Sequence, residues 1–133
     1  MKIGLVEVFV DHQDRARDFY TGKLGLEIKD DAPFRAGERW LTVVSPEDPD
    51  GTELLLTPLN DAARALQAHR RATDTPAVSF TVKDCDHRYR QLRDRGVDFV
   101  SEPKATGYGG IDAMFEDGCG NLCNLHQEGA GGG

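Results

Sequence analysis

The stretch 5–26, which reads LVEVFVDHQDRARDFYTGKLGL, predicts a β-strand followed by a helix. At its start Val6, Val8 and Val10 alternate with other side chains, and a period of two in a β-branched run is typical of a strand. Because alternate side chains point to opposite faces of a sheet, we expect the three valines to form one buried face.

The helix in this stretch is expected to begin near Asp11 or Asp14, since either carboxylate can cap a helix N-terminus. Apolar side chains follow at helical spacing, and Gly25 can adopt the left-handed conformation that ends a helix. These apolar positions are Ala16, Phe19, Tyr20 and Leu24.

Outward from this stretch, strands are predicted at 26–28, 39–44 and 53–57, which completes the order β-α-β-β-β. The same order returns about 70 residues later, beginning with the alternating Val78, Phe80 and Val82. There Asp84 is expected to cap a helix that ends at Gly96. Strands are then predicted at 97–100, 111–115 and 122–125.

The repeat predicts two modules, each packing one face of its sheet on its own helix. A helical pattern over 60–71 lies between them. The expected division is 1–59 for the first module, 60–75 for a helical connector, 76–127 for the second module and 128–133 for a flexible tail.

Composition narrows the function classes. A length of 133 residues suits one domain or two half-domains, and 38% hydrophobic with 29% charged residues is typical of a globular chain. The net charge of −7 disfavours nucleic acid and anionic membranes as partners. Three cysteines without CxxC spacing, and a start unlike a signal peptide, predict free thiols in the cytoplasm.

The faces opposite the valine-rich ones would line the space that the two sheets enclose. This lining is more polar than the helix-facing set, which favours a partly wet, ligand-sized concavity over a closed core. Its expected members are Leu5, Glu7, Phe9, Glu53, Leu55, Thr57, Ala77, Ser79, Thr81, Leu122, Asn124 and His126.

The two modules and three short motifs together resemble a known family. The motifs are RDFY at 17–20, LGL at 24–26 and DGCGN at 117–121. Over roughly residues 1–127 the chain resembles the vicinal-oxygen-chelate superfamily of glyoxalases, bleomycin-resistance proteins and extradiol dioxygenases. The resemblance implies an α+β fold, in which two βαβββ modules form a glyoxalase-like cup of mixed sheets with helices on the outer faces.

Metalloenzymes of this superfamily place a His or Glu on the first, fourth, fifth and eighth strands, around one divalent ion. The matching positions here are Leu5, Leu55, Ala77 and Asn124. A shift of two residues would bring in Glu7 or Glu53, but the second module would then offer only Ser79 or Thr81. We therefore expect no metal and no cofactor.

The resemblance then favours a metal-independent small-molecule binding protein of the bleomycin-resistance type, which sequesters a drug or natural product as a homodimer. The ligand is expected to be aromatic or cationic, because Glu7, Glu53 and Phe9 belong to the lining while no Lys or Arg does. Two alternatives stay open: a metal-independent isomerase or lyase with Glu7 as base, and an association module with a vestigial pocket. The expected ligand-binding residues are Glu7, Phe9, Trp40, Glu53, Thr57, Ser79, Tyr108, Asn124 and His126; no catalytic residue is assigned.

Some residues allow two interpretations. Trp40 can pack in the core or offer a stacking surface, and the loop 107–110 can be a flexible turn or a lid that carries Tyr108. The pair Cys119 and Cys123 with His126 superficially suggests zinc, but these side chains point to different faces and Cys123 is expected in the core.

The sharpest expectation concerns Glu7 and His126. Parallel pairing is expected to bring Glu7 level with Thr57 and His126 level with Ser79, so that both ionisable groups share one layer of the pocket. A carboxylate and an imidazole in one layer could orient a ligand amine or exchange a proton with it.

Overall fold

The computed structural model describes residues 1–129 and forms two mixed sheets with three helices. The tail predicted at 128–133 lies mostly outside the described residues. The strands are β1 (Leu5–Val10), β2 (Glu27–Pro33), β3 (Arg39–Val44), β4 (Glu53–Pro58), β5 (Val78–Thr81), β6 (Asp98–Phe99), β7 (Lys104–Ala105), β8 (Ile111–Glu116) and β9 (Leu122–Gln127). The helices are α1 (Gln13–Asp18), which continues as a π-helical turn over Phe19–Lys23, α2 (Asp61–Ala72) and α3 (Cys85–Asp94).

Each half of the chain builds one sheet. The first sheet has the order β1-β4-β3-β2, and the second has the order β5-β9-β8-β6 with β7 also paired to β8. In both sheets the first strand is parallel to the last and the other pairs are antiparallel. The predicted α+β fold is confirmed, and the short strand β7 is an addition to the predicted order.

The helix caps agree with the prediction in the second half and differ in the first. Asp84 caps α3 by accepting from the backbone N–H of His87 at 3.0 Å. Helix α1 begins instead after His12, which makes no side-chain cap. The prediction that Asp11 or Asp14 caps α1 was wrong, because both carboxylates are engaged by arginines, Asp11 by Arg15 and Asp14 by Arg39.

Side-chain alternation positions the first core. Val8 and Val10 are buried together with Tyr20 of the helical segment and with Leu41 and Leu56 of the neighbouring strands. The prediction that all three valines are buried was wrong for Val6, which is 45% exposed. It lies near the start of an edge strand, outside the cluster that the helix covers.

A buried carboxylate joins the two halves. Asp117 accepts hydrogen bonds from the Tyr20 hydroxyl at 2.7 Å, from the backbone N–H of Cys119 and from both nitrogens of Asn121. The Asn121 amide also donates to the Phe9 carbonyl of β1. Since a buried carboxylate is costly unless fully hydrogen-bonded, this arrangement ties the DGCGN turn firmly to the first module.

The cysteines are buried and unpaired, and Cys123 lies in the second core as predicted. Burial raises the pKa of Cys119 and Cys123, which keeps both thiols protonated. Across residues 1–129 no three His, Cys, Asp or Glu side chains cluster closely enough to hold a metal ion. Within the same residues, every helix is too short or too polar to cross a membrane.

Candidate functional site

The face of the first sheet that turns away from its helix carries most of the predicted lining. Glu7 pairs with Leu55 across the parallel strands, and Leu55 pairs with Thr42 of β3. Trp40 lies two residues from Thr42 and therefore shares this side, which we call the first face. Its described members are Leu5, Glu7, Phe9, Trp40, Thr42, Glu53, Leu55 and Thr57.

The first face holds a pocket of about 90 Å³, closed on one side by the turn between β2 and β3. The rings of Phe34 and Trp40 meet edge to face there, with centroids 5.2 Å apart. Trp40 thus lines the pocket, and its use as a stacking surface for a ligand stays a prediction. The lining consists of Glu7, Phe34, Arg35, Glu38, Arg39, Trp40, Leu55 and Thr57.

The carboxylates of the first face differ in their engagement. Glu7 is exposed and accepts one hydrogen bond, from the Thr57 hydroxyl to Oε2 at 2.8 Å, which leaves Oε1 without a partner among residues 1–129. Glu53 accepts from the buried Thr42 hydroxyl at 2.8 Å and does not line the pocket. Glu7 is therefore the carboxylate of this face that is best placed to meet a ligand.

The side of the second sheet that carries Ser79, Asp112, Asn124 and His126, which we call the second face, holds a hydrogen-bonded cluster. His126 Nδ1 lies 2.6 Å from Asp112 Oδ1, and the Tyr108 hydroxyl donates to Asp112 Oδ2 at 3.0 Å. The Tyr108 ring stacks near the imidazole, with centroids 6.5 Å apart. Next to the cluster, the Asn124 amide and the Ser79 hydroxyl lie within hydrogen-bond distance of each other.

Asp112 is the centre of this cluster, and its ionisation follows from two opposed effects. Partial burial raises the pKa of Asp112, but the hydrogen bonds with His126 and Tyr108 outweigh it, so the pKa lies below its usual value. An ionised carboxylate only accepts hydrogen bonds, so the proton of the short contact belongs to His126 Nδ1. The Nε2 atom of His126 then has no partner among the described residues.

The predicted register of the two parallel strand pairs was wrong by two residues. Glu7 is level with Leu55 rather than Thr57, and His126 is level with Thr81 rather than Ser79. Thr57 still reaches Glu7 diagonally, because residues two apart share a face. Glu7 and His126 lie on separate sheets, and the pocket of the first face includes Glu7 without His126.

The positions where a metal would be held do not fit a divalent ion. Leu5 and Leu55 lie on the first face, Ala77 precedes β5, and Asn124 is buried beside Ser79. Three of the four side chains have no lone pair to donate, and a single amide oxygen cannot fix a divalent cation. We therefore derive no chemistry through a metal.

Sequence reasoning missed five pocket and cluster residues: Phe34, Arg35, Glu38, Arg39 and Asp112. Phe34 is a large apolar residue within a run of turn formers, which could have marked the hairpin as more than a connection. Asp112 alternates with the buried Ala113 and Phe115, so strand periodicity alone assigns it to the opposite face.

Comparisons with known proteins agree with this architecture. YurT of Bacillus subtilis (strain 168), an uncharacterized protein, is 44% identical over 129 residues, covering 96% of this chain and 100% of its own length. The crystal structure of UcmS2 aligns with a TM-score of 0.79 and 29% identity, over 95% of this chain and 97% of that one. TnmS3, an antibiotic binding protein from Streptomyces sp. CB03234, aligns with a TM-score of 0.76 and 29% identity, over 96% of both chains.

The family model that matches residues 2–125 is described as the Glyoxalase/Bleomycin resistance protein/Dioxygenase superfamily. Both βαβββ modules are present in the structure and the match spans them, so the resemblance drawn from the motifs is confirmed, and the chain belongs to this superfamily.

Proposed function

We propose that this protein binds a small aromatic or cationic organic molecule on its first face, without a metal ion and without changing the ligand's bonds. The observation that carries the proposal is the pocket where two aromatic rings and the half-engaged Glu7 carboxylate converge. Aromatic surface for contact, together with polar groups that fix the orientation of the ligand, is typical of small-molecule sites. The similar TnmS3 is an antibiotic binding protein, which supports the same class of function.

The charges around the pocket favour a cation. Two carboxylates, Glu7 and Glu38, line it together with two cations, Arg35, whose guanidinium lies over the Phe34 ring, and Arg39. Arg39 is compensated by Asp14 and Asp31, each with an oxygen 2.8 Å from the guanidinium. Together with the net charge of −7, this arrangement favours positively charged over anionic ligands.

The size of the pocket favours a homodimer as the binding unit. Pockets for drug-sized molecules occupy about 300–1,000 Å³, whereas this one measures about 90 Å³. On the first face Leu5 is 43% exposed. We propose that a second copy covers the first face, encloses the ligand and buries this side chain. Sedimentation at tens of micromolar, where weak association is visible, should give a species of twice 14.6 kDa; a monomer would contradict this.

A role in drug sequestration within the cytoplasm completes the proposal. Unpaired, buried thiols suit a reducing compartment. A binding protein that holds a toxic molecule without altering it lowers the free concentration of that molecule. The reduction grows with the concentration of the protein and with its affinity for the molecule.

A metal-independent isomerase or lyase is the second candidate, favoured by the open Oε1 of Glu7. A carboxylate that is held by one hydrogen bond and open on its other oxygen could take a proton from a bound substrate. Recovery of unchanged ligand after prolonged incubation separates binding from turnover.

The test is a thermal-shift screen of EDTA-treated protein against natural products and metabolites, repeated with zinc, nickel and manganese. Ligand binding to the folded state must raise the melting temperature. Cationic aromatic compounds should give the largest shifts, with or without metal, and the shifts should fall in Glu7→Gln but not in the exposed-turn control Glu47→Gln. No stabilising compound would favour the association module, and carboxylates or phosphates as best ligands would contradict the proposed charge preference.

A further inference from the structure

The turn between β2 and β3 holds a cation against the aromatic wall of the pocket. The guanidinium carbon of Arg35 lies 4.7 Å from the Phe34 ring centroid, a cation–π distance. The turn is closed by the backbone contacts Phe34 N–H to Glu38 O and Glu38 N–H to Arg35 O. Gly37 adopts φ of +76°, a left-handed conformation that lets so short a turn form. The backbone therefore presents Phe34 and Arg35 to the same pocket.

Arg35 differs from its neighbour Arg39 in what it contacts. Arg39 is neutralised by Asp14 and Asp31, whereas Arg35 makes no ion pair with any residue among 1–129. Its interaction there is with the face of an aromatic ring. A cation that an aromatic ring holds without a carboxylate is held weakly at exposed sites. Arg35 can therefore leave the ring at little cost.

The pocket behind Arg35 has the components that recognise a ligand cation. Phe34 and Trp40 offer aromatic surface at a steep angle, and the Glu7 and Glu38 carboxylates supply negative charge. Aromatic surfaces set at an angle are the arrangement that binds quaternary ammonium groups. A quaternary alkylammonium is compact and has no N–H groups that hold water, so it suits a pocket of about 90 Å³ beside aromatic rings better than a planar guanidinium on a long side chain does.

We propose that the pocket of the first face recognises an alkylammonium group. The Arg35 guanidinium covers the face of the Phe34 ring until such a ligand displaces it. This inference rests on the proposed binding function and names the charged group of the ligand. It has an unusual consequence: removing Arg35 should strengthen binding, since the ligand no longer competes with a cation from the protein itself.

The experiment compares choline with 3,3-dimethylbutan-1-ol, a neutral molecule of nearly the same shape. Trp40 is the only tryptophan of the chain, so its fluorescence reports directly on the pocket. Choline should bind the wild type at least several-fold more tightly than the alcohol. A quaternary cation over desolvated aromatic surface gains about 2 kcal/mol, which corresponds to a factor of about 30.

Variants separate displacement from general electrostatics. Arg35→Ala should tighten choline binding by a few-fold, whereas Arg64→Ala, which removes the same charge from the exposed surface of α2, should not. Phe34→Leu should weaken choline binding and leave binding of the alcohol almost unchanged. Unfolding curves check that each variant is folded.

Three results would overturn the inference: equal affinity for choline and the alcohol, equal gains in Arg35→Ala and Arg64→Ala, or no choline binding. If other compounds from the thermal-shift screen still bind in a Glu7-dependent manner, the alkylammonium inference alone fails. If no compound binds, the proposed function fails with it.

Discussion

The two faces come from the same module order, yet their polar groups are used differently. On the second face Asp112 accepts from both Tyr108 and His126, so these side chains satisfy one another. On the first face Glu7 keeps an unengaged oxygen in a pocket where the Phe34 ring contacts both Trp40 and Arg35. The difference teaches that two copies of one module order can leave polar groups open on one sheet and bonded to one another on the other.

The largest expected effect is the loss of an aromatic wall. Trp40→Ala should weaken binding of the ligand found by screening by about 2–4 kcal/mol, because large aromatic side chains in pockets dominate affinity. Tyr108→Ala on the second face should cost less, since Tyr108 is 77% exposed and bonded within its own cluster. Calorimetric titration measures both, and equal losses would erase the contrast between the faces.

Removing the charge of the first face should have the next effect. Glu7→Gln should weaken a cationic ligand by about 1–3 kcal/mol, the range for a charge-assisted hydrogen bond, while leaving the fold intact. Glu47→Gln in an exposed turn is the matched control. Unchanged affinity in both Glu7→Gln and His126→Ala would end the assignment of either ionisable group to the ligand.

The second face should respond in stability rather than in affinity. Asp112→Ala removes the acceptor of two side chains and should lower the free energy of unfolding by about 1–2 kcal/mol. Asp86→Ala, which breaks only an exposed pair with Arg90 on α3, should cost less than about 0.5 kcal/mol. Urea unfolding compares the two variants, and a neutral Asp112→Ala would show that the cluster does not stabilise the face.

The smallest effect is a pH dependence. The folded-state pKa of Asp112 is lowered, so its contribution to stability is complete above the unfolded-state pKa of about 3.9 and disappears as the pH falls through the folded-state value. The melting temperatures of wild type and Asp112→Asn should therefore begin to approach each other as the pH falls below about 4, and should meet below the folded-state pKa. A constant difference down to about pH 2 would contradict ionisation of Asp112 as the cause.

Local sequence pattern was enough for the faces and for every element except the two-residue strand β7. Strand alternation assigned Glu7, Leu55 and Thr57 to one side of the sheet. Asp84 was recognised as a helix cap from its residue type and position. Both features depend only on neighbours in the sequence. The cap of α1 could not be predicted in this way, since Asp14 is drawn to Arg39, which is distant in the chain.

The details of the site depend on longer-range geometry. The register between β1 and β4 is set by contacts across the sheet, so a displacement of two residues kept the faces correct but exchanged the partner of Glu7. The Phe34–Arg35 arrangement depends on the backbone of one short turn, which composition alone does not specify. The bond between Tyr20 and Asp117 joins residues 97 apart and carries no local signal.

The central claim is that the first face binds its ligand without a metal, and one measurement tests it most directly. Protein purified without an affinity tag is treated with excess nickel, zinc or manganese, desalted, analysed for metal and titrated with the ligand found by screening. We predict negligible retained metal and an affinity equal to that of EDTA-treated protein. Near-stoichiometric metal, or binding that arises only after metal is added, would contradict the claim.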